Sequence, residues 1–211
     1  HPVADKYKIK EGYKEEPQKI GFSETHHVMT VLNGLFMDSL VWHSVPAVSI
    51  MPSSCIITEN GRIKQFDDAP LNGLLRMGFT PVLYGDAVLD TKLGFTVLSG
   101  DQLVSVLAMR ENAKDIVIGI DEDGVFDSDP KLEKTAKIYE HLNLEELRKL
   151  HGKLGKTITC DVTGGMFGKI AELIPAVEQR IPVKIVNATE PHVVCKALQG
   201  ERVKGTMIEK E

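Results

Sequence analysis

Short apolar runs that alternate with helical patterns are the feature that most restricts the fold of this chain. Pro81–Tyr84, Ile116–Ile120 and Val183–Val186 have the length and composition of buried strands. Segments with apolar residues at steps of three and four, which is the helical period, lie between such runs. This alternation predicts an α/β fold: an αβα sandwich with a mainly parallel central sheet and some antiparallel hairpins.

Small and acidic residues stand at the ends of several of these strands. Gly85-Asp86 and Asp121 each follow a strand, and Ser99-Gly100-Asp101 lies where a strand gives way to a helix. Ligands of α/β sheets bind at the carboxyl ends of the strands. Three turns of this composition at strand ends are more than we expect if they only reverse the chain. The sequence therefore predicts that they form a ligand site.

The run Asp161–Lys169 contains two adjacent glycines, Gly164 and Gly165, followed by a helical apolar pattern. We expect a flexible turn here, then a helix capped by Asp161 or Thr163, with Lys169 near its start. Free N–H groups at a helix start, together with a lysine, make a plausible phosphate site. The alternative interpretation is an ordinary glycine turn before a surface helix.

Composition excludes several classes of partner. The chain has 211 residues and a formal net charge of -5, which gives no electrostatic footprint for nucleic acid or an anionic membrane. Three widely spaced cysteines without a Cys-x-x-Cys pair indicate reduced thiols. No apolar run reaches the roughly 18 residues of a membrane span. We therefore expect a cytoplasmic protein.

Local patterns give further expectations. Residues 5–19 are polar and predict an exposed loop, and a helix is expected to begin around Ser23. Residues 131–157 are lysine-rich and predict a surface excursion. Thr189 is expected to cap the last helix, and 202–208 to form an edge strand.

Taken together, four segments and the first two residues resemble the amino acid kinase superfamily and, within it, the archaeal-type isopentenyl phosphate kinase family. The Ser-Gly-Asp and Asp-x-Asp-Gly-Val elements are typical of the superfamily, and the His1-Pro2 start and the Asp161–Lys169 run narrow the match. The resemblance covers essentially the whole chain in order. The segments are Tyr84–Asp90, Ser99–Leu103, Asp121–Phe126 and Asp161–Lys169, with His1-Pro2.

The resemblance implies direct transfer of the ATP γ-phosphate to isopentenyl phosphate, with Mg²⁺ on the phosphates and a homodimeric enzyme. His1 and Lys169 would be catalytic, with His1 on the acceptor phosphate and Lys169 on the ATP phosphates. Gly85 and Asp86 would bind the acceptor. No residue is expected to be a direct metal ligand. The nucleotide would be surrounded by Asp101, Asp121, Gly124, Val125, Phe126, Gly165 and Lys169.

The chain departs from the family pattern before His1. Family members begin with a strand carrying Lys-x-Gly-Gly-Ser, a helix and a second strand that ends in a glycine-rich loop. We expect the native protein to have this segment, and the sequence as it stands to be inactive without it.

The resemblance also implies one amino-acid-kinase-type domain, with acceptor binding in residues 1–98 and ATP binding in 99–211. Another kinase of this fold, for UMP, carbamate or fosfomycin, is the alternative, as is a non-catalytic nucleotide-binding fragment.

On the first helix, Leu32 and Phe36 are expected in the core, and one helix face is a candidate lining for the isopentenyl tail. His26-His27 has no neighbour at metal-ligand spacing, so zinc is not expected there.

Overall fold

The computed structural model describes residues 2–154 and 161–210, with side chains for all of these except 150–154 and 161–167. The chain divides into two compact units, His1–Leu103 and Val104–Glu211. Each unit has its own sheets and its own cluster of buried apolar residues.

The described part of the first unit contains a two-stranded and a four-stranded sheet with helices. In the two-stranded sheet β1 pairs with β4 in parallel, and the four-stranded sheet has the order β3-β2-β5-β6. Its outer pairs are antiparallel hairpins, and β2 pairs with β5 in parallel. The elements are α1 (Pro2–Lys6), α2 (Pro17–Trp42), β1 (Ala47–Ser49), α3 (Pro52–Cys55), β2 (Ile56–Glu59), β3 (Arg62–Phe66), α4 (Ala69–Arg76), β4 (Thr80–Val82), β5 (Asp86–Asp90) and β6 (Gly94–Leu98).

Asp90, at the end of β5, ties the two hairpins together. Its buried carboxylate accepts hydrogen bonds from the N–H groups of Asn60 and Gly61 in one turn and of Lys92 and Leu93 in the other. The Thr58 hydroxyl donates a further bond at 2.8 Å. Burial by itself raises the pKa of Asp90, but these hydrogen bonds outweigh it and hold the pKa well below its ordinary value.

The expectation of an exposed loop over residues 5–19 is only partly right: most of these residues are exposed, but the segment includes a short helical turn at Ile9–Glu11 and a few buried residues. Ile9 has 0% exposure and packs in a cluster with Ala4 and Phe95. The Gln18 side-chain amide donates to the carbonyls of Tyr7 and Gly12. The segment is polar in composition, but its backbone polar groups are satisfied internally, so it folds against β6. Consequently α2 begins at Pro17, six residues before Ser23.

The second unit contains a mixed four-stranded sheet in the described residues. The order is β7-β9-β10-β8, in which β7 and β9 are parallel, β9 and β10 antiparallel, and β10 and β8 parallel. Helix α5 (Gly100–Arg110) begins in the first unit and continues into the second. The remaining elements are β7 (Ile116–Ile120), β8 (His141–Asn143), α6 (Leu144–Leu154), α7 (Asp161–Glu178), β9 (Val183–Asn187), α8 (Val193–Leu198) and β10 (Gly205–Glu209).

Three local expectations for this unit are wrong. The final strand β10 lies between β9 and β8 rather than at an edge. Leu142 and Leu147 are buried in the core, so 131–157 is not a plain surface excursion. Thr189 donates to the Asn187 side chain, and α8 begins only at Val193. In the first two cases a partner distant in sequence decides the outcome, whereas Thr189 is held by a residue two positions away.

The α/β fold predicted from the sequence is confirmed. Parallel strand pairs and helices are present in both units, and the predicted strands Pro81–Tyr84, Ile116–Ile120 and Val183–Val186 lie within one or two residues of β4, β7 and β9. The two four-stranded sheets are mixed, because hairpins flank the parallel β2–β5 pair in the first unit and β10 runs antiparallel to β9 in the second.

Candidate functional site

In the first unit, the turn at Gly85-Asp86 is held by three different segments. The Asp86 side chain has 0% exposure. One carboxylate oxygen accepts the N–H of Ala87 at 2.8 Å and lies 2.9 Å from Nδ1 of His26 on α2. The other oxygen accepts the N–H of Ser53 in α3 at 3.2 Å. The buried carboxylate therefore fixes the start of β5 against two helices.

Gly85 stands where two backbone segments approach closely. A Cβ at this position would lie 3.1 Å from the Leu98 carbonyl oxygen and 3.2 Å from the Gly100 nitrogen. A side chain there would push the two turns apart. The structure thus brings Gly85-Asp86 and Ser99-Gly100 side by side, as expected if strand-end turns form one site.

Ser99 caps the helix that follows it. Its hydroxyl oxygen accepts the N–H of Asp101 at 3.1 Å, which is the geometry of a serine at a helix N-terminus. The Asp101 side chain lies in the first turn of α5, where a carboxylate complements the helix dipole. Asp101 belongs to the first unit, whereas the other residues predicted around the nucleotide belong to the second.

In the second unit, Asp121 follows β7 and is paired with a lysine. Lys131 Nζ lies 3.0 Å from carboxylate oxygens of both Asp121 and Glu122. The hydrogen bond and charge of Lys131 lower the pKa of Asp121. The Asp121 side chain is 71% exposed, so this carboxylate is accessible to solvent.

Asp123 connects the end of β7 with the end of β9 and the loop before β10. It accepts a hydrogen bond from Lys204 Nζ at 2.5 Å and another from the side chain of Asn187 at 3.0 Å. These bonds, that of Lys204 first, lower the pKa of Asp123. Three carboxylates, those of Asp121, Glu122 and Asp123, and two lysines therefore lie around the carboxyl ends of the parallel strands β7 and β9.

Gly124, Val125 and Phe126 are built into this edge of the sheet. Gly124 has φ +154° and packs against Thr206, whose hydroxyl oxygen accepts the N–H of Val125 at 2.8 Å. The Val125 side chain is buried in the core, and the backbone of Phe126 pairs with that of Ile138 in a single antiparallel β-bridge. This packing gives Gly124 and Val125 a structural role at the site, because their backbone is fixed by β10.

The glycine pair of Asp161–Lys169 is not in a turn that precedes a helix. Helix α7 begins at Asp161 and contains both Gly164 and Gly165, so the predicted turn is wrong. Lys169 lies eight residues into the helix, about 12 Å along its axis at about 1.5 Å per residue. Its side chain is exposed. The other predicted catalytic residue, His1, lies outside the described residues, as does Cys160.

The sequence does not indicate several residues that lie around Asp86 and around Asp121 and Asp123. It suggests no role for His26 beyond the excluded metal site, because its partner Asp86 lies 60 positions away. Lys204 and Asp123 are 81 positions apart. Neither pairing leaves a periodic or spacing signal in the sequence, and the pairing of Lys131 with Asp121, ten positions apart, leaves none either.

The described residues contain no group of three or more histidine, cysteine or acidic side chains placed to hold a metal ion. In that same part of the chain, no helix is long and apolar enough to cross a membrane. Cys55 and Cys195 are free thiols. A cytoplasmic location stays a prediction from the sequence.

Comparison with known proteins identifies the family. Residues 1–187 match the amino acid kinase family. The chain belongs to this family, and the enzyme class predicted from the sequence, a kinase, is confirmed.

Within the family, the chain is similar to isopentenyl phosphate kinases. It is 37% identical to that of Methanothermobacter thermautotrophicus, over 99% of this chain and 79% of the relative. It is 35% identical to that of Methanocaldococcus jannaschii, over 99% of this chain and 76% of the relative. A solved isopentenyl phosphate kinase superposes with a TM-score of 0.84 at 33% identity, covering 99% of this chain and 79% of that one. The predicted resemblance is confirmed.

Proposed function

We propose that the protein transfers the γ-phosphate of ATP to isopentenyl phosphate and forms isopentenyl diphosphate. The observation that carries this proposal is the similarity to isopentenyl phosphate kinases over 99% of the chain. Lys131 and Lys204, at the carboxyl ends of β7 and β9, support it, since cations suit the phosphates of ATP.

The proposed reaction needs alignment and charge neutralisation rather than a covalent enzyme intermediate. Both substrates are anionic, so cations and N–H donors must hold their phosphates in line. We propose that His1 binds the acceptor phosphate and that Lys169 neutralises charge on the ATP phosphates during transfer. Gly85 and Asp86 would shape the acceptor side, where the glycine leaves backbone N–H groups accessible.

We propose that the nucleotide is bound by the residues that the sequence predicts for it and, in addition, by two lysines. Lys131 and Lys204 stand beside Asp121 and Asp123, so bound phosphate would compete with these carboxylates for the two lysines. Gly124 and Val125 would act by holding the edge in place. The other proposed contacts are Asp101, Phe126 and Gly165.

ATP is proposed to bind as its magnesium complex. The carboxylates of Asp121 and Asp123 are each engaged by a lysine, and they form no metal cage within the described residues. Mg²⁺ commonly keeps several waters and is held largely by substrate phosphates. Mg²⁺ would therefore enter as part of the nucleotide substrate, and no described residue is proposed as its direct ligand.

We further propose that residues 1–98 supply the acceptor half of one kinase domain and residues 99–211 the ATP half. The assignment follows the family pattern, and the placement of the Asp86 turn and the Asp121 edge in different units supports it.

A homodimer is also proposed. Five apolar residues of α2, at steps of three and four, are each at least 50% exposed. We call this surface the α2 apolar stripe; it consists of Val28, Val31, Leu32, Leu35 and Phe36. Contiguous exposed apolar surface of this kind marks interaction sites. The expectation that Leu32 and Phe36 lie in the core of this chain is wrong, and a second copy is the proposed cover.

The test is ADP release by the full-length protein with a panel of acceptors. Isopentenyl phosphate is expected to support turnover, with UMP, fosfomycin, carbamate and glutamate far slower. The proposed function fails if isopentenyl phosphate gives no turnover while another acceptor does. Binding of ATP without turnover of any acceptor would favour a non-catalytic nucleotide-binding protein.

A further inference from the structure

The pair formed by His26 and Asp86 stands out among the described ionisable groups. Asp86 is a carboxylate with 0% side-chain exposure, and a charge removed from water needs strong donors to remain ionised. Two of its donors are backbone N–H groups, those of Ser53 and Ala87. His26 is the side-chain donor among the contacts described, and it alone of the three can carry a positive charge.

The chemistry of the pair fixes the orientation of the imidazole. An ionised carboxylate only accepts hydrogen bonds, so Nδ1 of His26, 2.9 Å away, must carry the proton. The His26 side chain is 27% exposed, which makes it the outer member of the pair. His27, its neighbour on α2, is exposed and offers a matched control.

The Asp86 carboxylate acts on the backbone that surrounds it. It forms hydrogen bonds with His26 of α2, with the N–H of Ser53 in α3 and with the N–H of Ala87 in β5, and so connects these three elements. Gly85 directly precedes it, in close contact with the turn at Gly100. Burial, and then the charge of the neighbouring Asp86, raise the pKa of Tyr84 on the other side of Gly85.

We propose that His26 is a positioning residue for the acceptor. By holding the Asp86 carboxylate, it fixes the Gly85 turn in the conformation that receives the phosphate of isopentenyl phosphate. The inference rests on the proposed function, because it assigns His26 to the acceptor half of that site. Its consequence is selective: loss of His26 affects the acceptor and leaves ATP binding unchanged.

The experiment compares steady-state kinetics of full-length variants with both substrates. His26→Leu removes the donor, whereas His26→Asn places an amide N–H close to the position of Nδ1. We expect His26→Leu to raise the KM for isopentenyl phosphate by about tenfold or more, because a hydrogen bond to a buried charge is lost. His26→Asn should recover most of this loss, and the KM for ATP should stay within about twofold throughout. The control His27→Leu should behave like the wild type.

Each other result has a defined meaning. Absence of turnover in the wild type with isopentenyl phosphate rejects the proposed function itself. An active wild type with an unaffected His26→Leu variant overturns the positioning role. If His26→Asn is as impaired as His26→Leu, the second ring nitrogen acts directly and the positioning role is again overturned.

Thermal unfolding of each variant separates folding from function. Should His26→Leu not fold, His26→Asn is compared with His26→Gln, whose amide corresponds to the more distant ring nitrogen. Positioning through Asp86 predicts that the asparagine variant is the more active of the two. Equal activity of both would overturn the inference.

Discussion

Gly124 lies so close to Thr206 that a Cβ at position 124 would be 2.6 Å from the Thr206 hydroxyl oxygen. The same hydroxyl accepts the N–H of Val125 at 2.8 Å, across 81 positions of sequence. The turn after β7 is thus fixed to the start of β10, and the Asp121 edge of the second unit depends on that contact.

We expect Gly124→Ala to destabilise the protein by about 2 kcal/mol or more, since the new methyl group meets backbone and hydroxyl atoms that cannot move freely. The measurement is urea unfolding at neutral pH. Gly73→Ala in α4 is the matched control, because a Cβ there meets nothing within 4 Å. That variant should gain about 0.5 to 1 kcal/mol from reduced chain entropy. Equal stability of the two variants would contradict the packing argument.

Asp90→Asn should lower the free energy of unfolding by about 2 to 3 kcal/mol at neutral pH. Both carboxylate oxygens accept backbone N–H groups, so the amide NH₂ would face N–H donors in either orientation. The folded pKa of Asp90 is depressed below its ordinary value of 3.8. Its stabilisation is therefore fully present above pH 3.8 and is lost as the pH falls below that value toward the folded pKa.

Urea unfolding of wild type and Asp90→Asn at pH 7 and pH 3 measures this effect. The difference between the two proteins should shrink at the lower pH. Asp38→Asn, on the exposed side of α2, should match the wild type at both. A difference that is independent of pH would argue that shape, and not charge, is what matters at position 90.

Lys169→Ala is expected to lower kcat by roughly a hundredfold, because a cation that neutralises charge developing in the transition state is removed. The fold should be unaffected, since the side chain is exposed on α7. Kinetics of the full-length protein, with Lys196→Ala on α8 as the control, measure this. An unchanged kcat would remove Lys169 from the site.

Leu32→Glu should convert the proposed dimer to monomers, because it places a charge in the middle of the α2 apolar stripe. We expect the dissociation constant to rise by about a hundredfold or more. Sedimentation equilibrium measures the mass, and Ser23→Glu, at an exposed position on the opposite side of the same helix, should leave it unchanged. A Leu32→Glu protein that keeps the wild-type mass would show that the stripe is not the dimer contact.

Local sequence patterns predict several of the turns and helices of the fold. Glu59-Asn60-Gly61-Arg62 predicts the hairpin between β2 and β3 because Asn and Gly tolerate positive φ, and the structure has φ of 49° and 76° there. Leu71–Met77 predicts α4 and Gly78 its end, where φ is +81°. Such signals were sufficient because each depends on neighbours in the chain.

The same patterns failed where a distant partner decides. Residues 5–19 are polar, yet Ile9 packs against Phe95 and is buried. Leu142 and Leu147 lie in a lysine-rich stretch, yet they complete the core of the second unit. Composition averages over a segment, whereas burial depends on the few apolar residues that meet another element.

The sequence by itself determined the family, the α/β class and the turns at Gly85-Asp86, Ser99-Gly100-Asp101 and Asp121, because these depend on local residue types in a fixed order. Only the tertiary structure decided which side chains hold those turns. His26 reaches Asp86 across 60 positions, and Lys204 reaches Asp123 across 81. Hydrogen bonds and charge pairs of this kind form between residues brought close by folding, so no spacing along the chain records them.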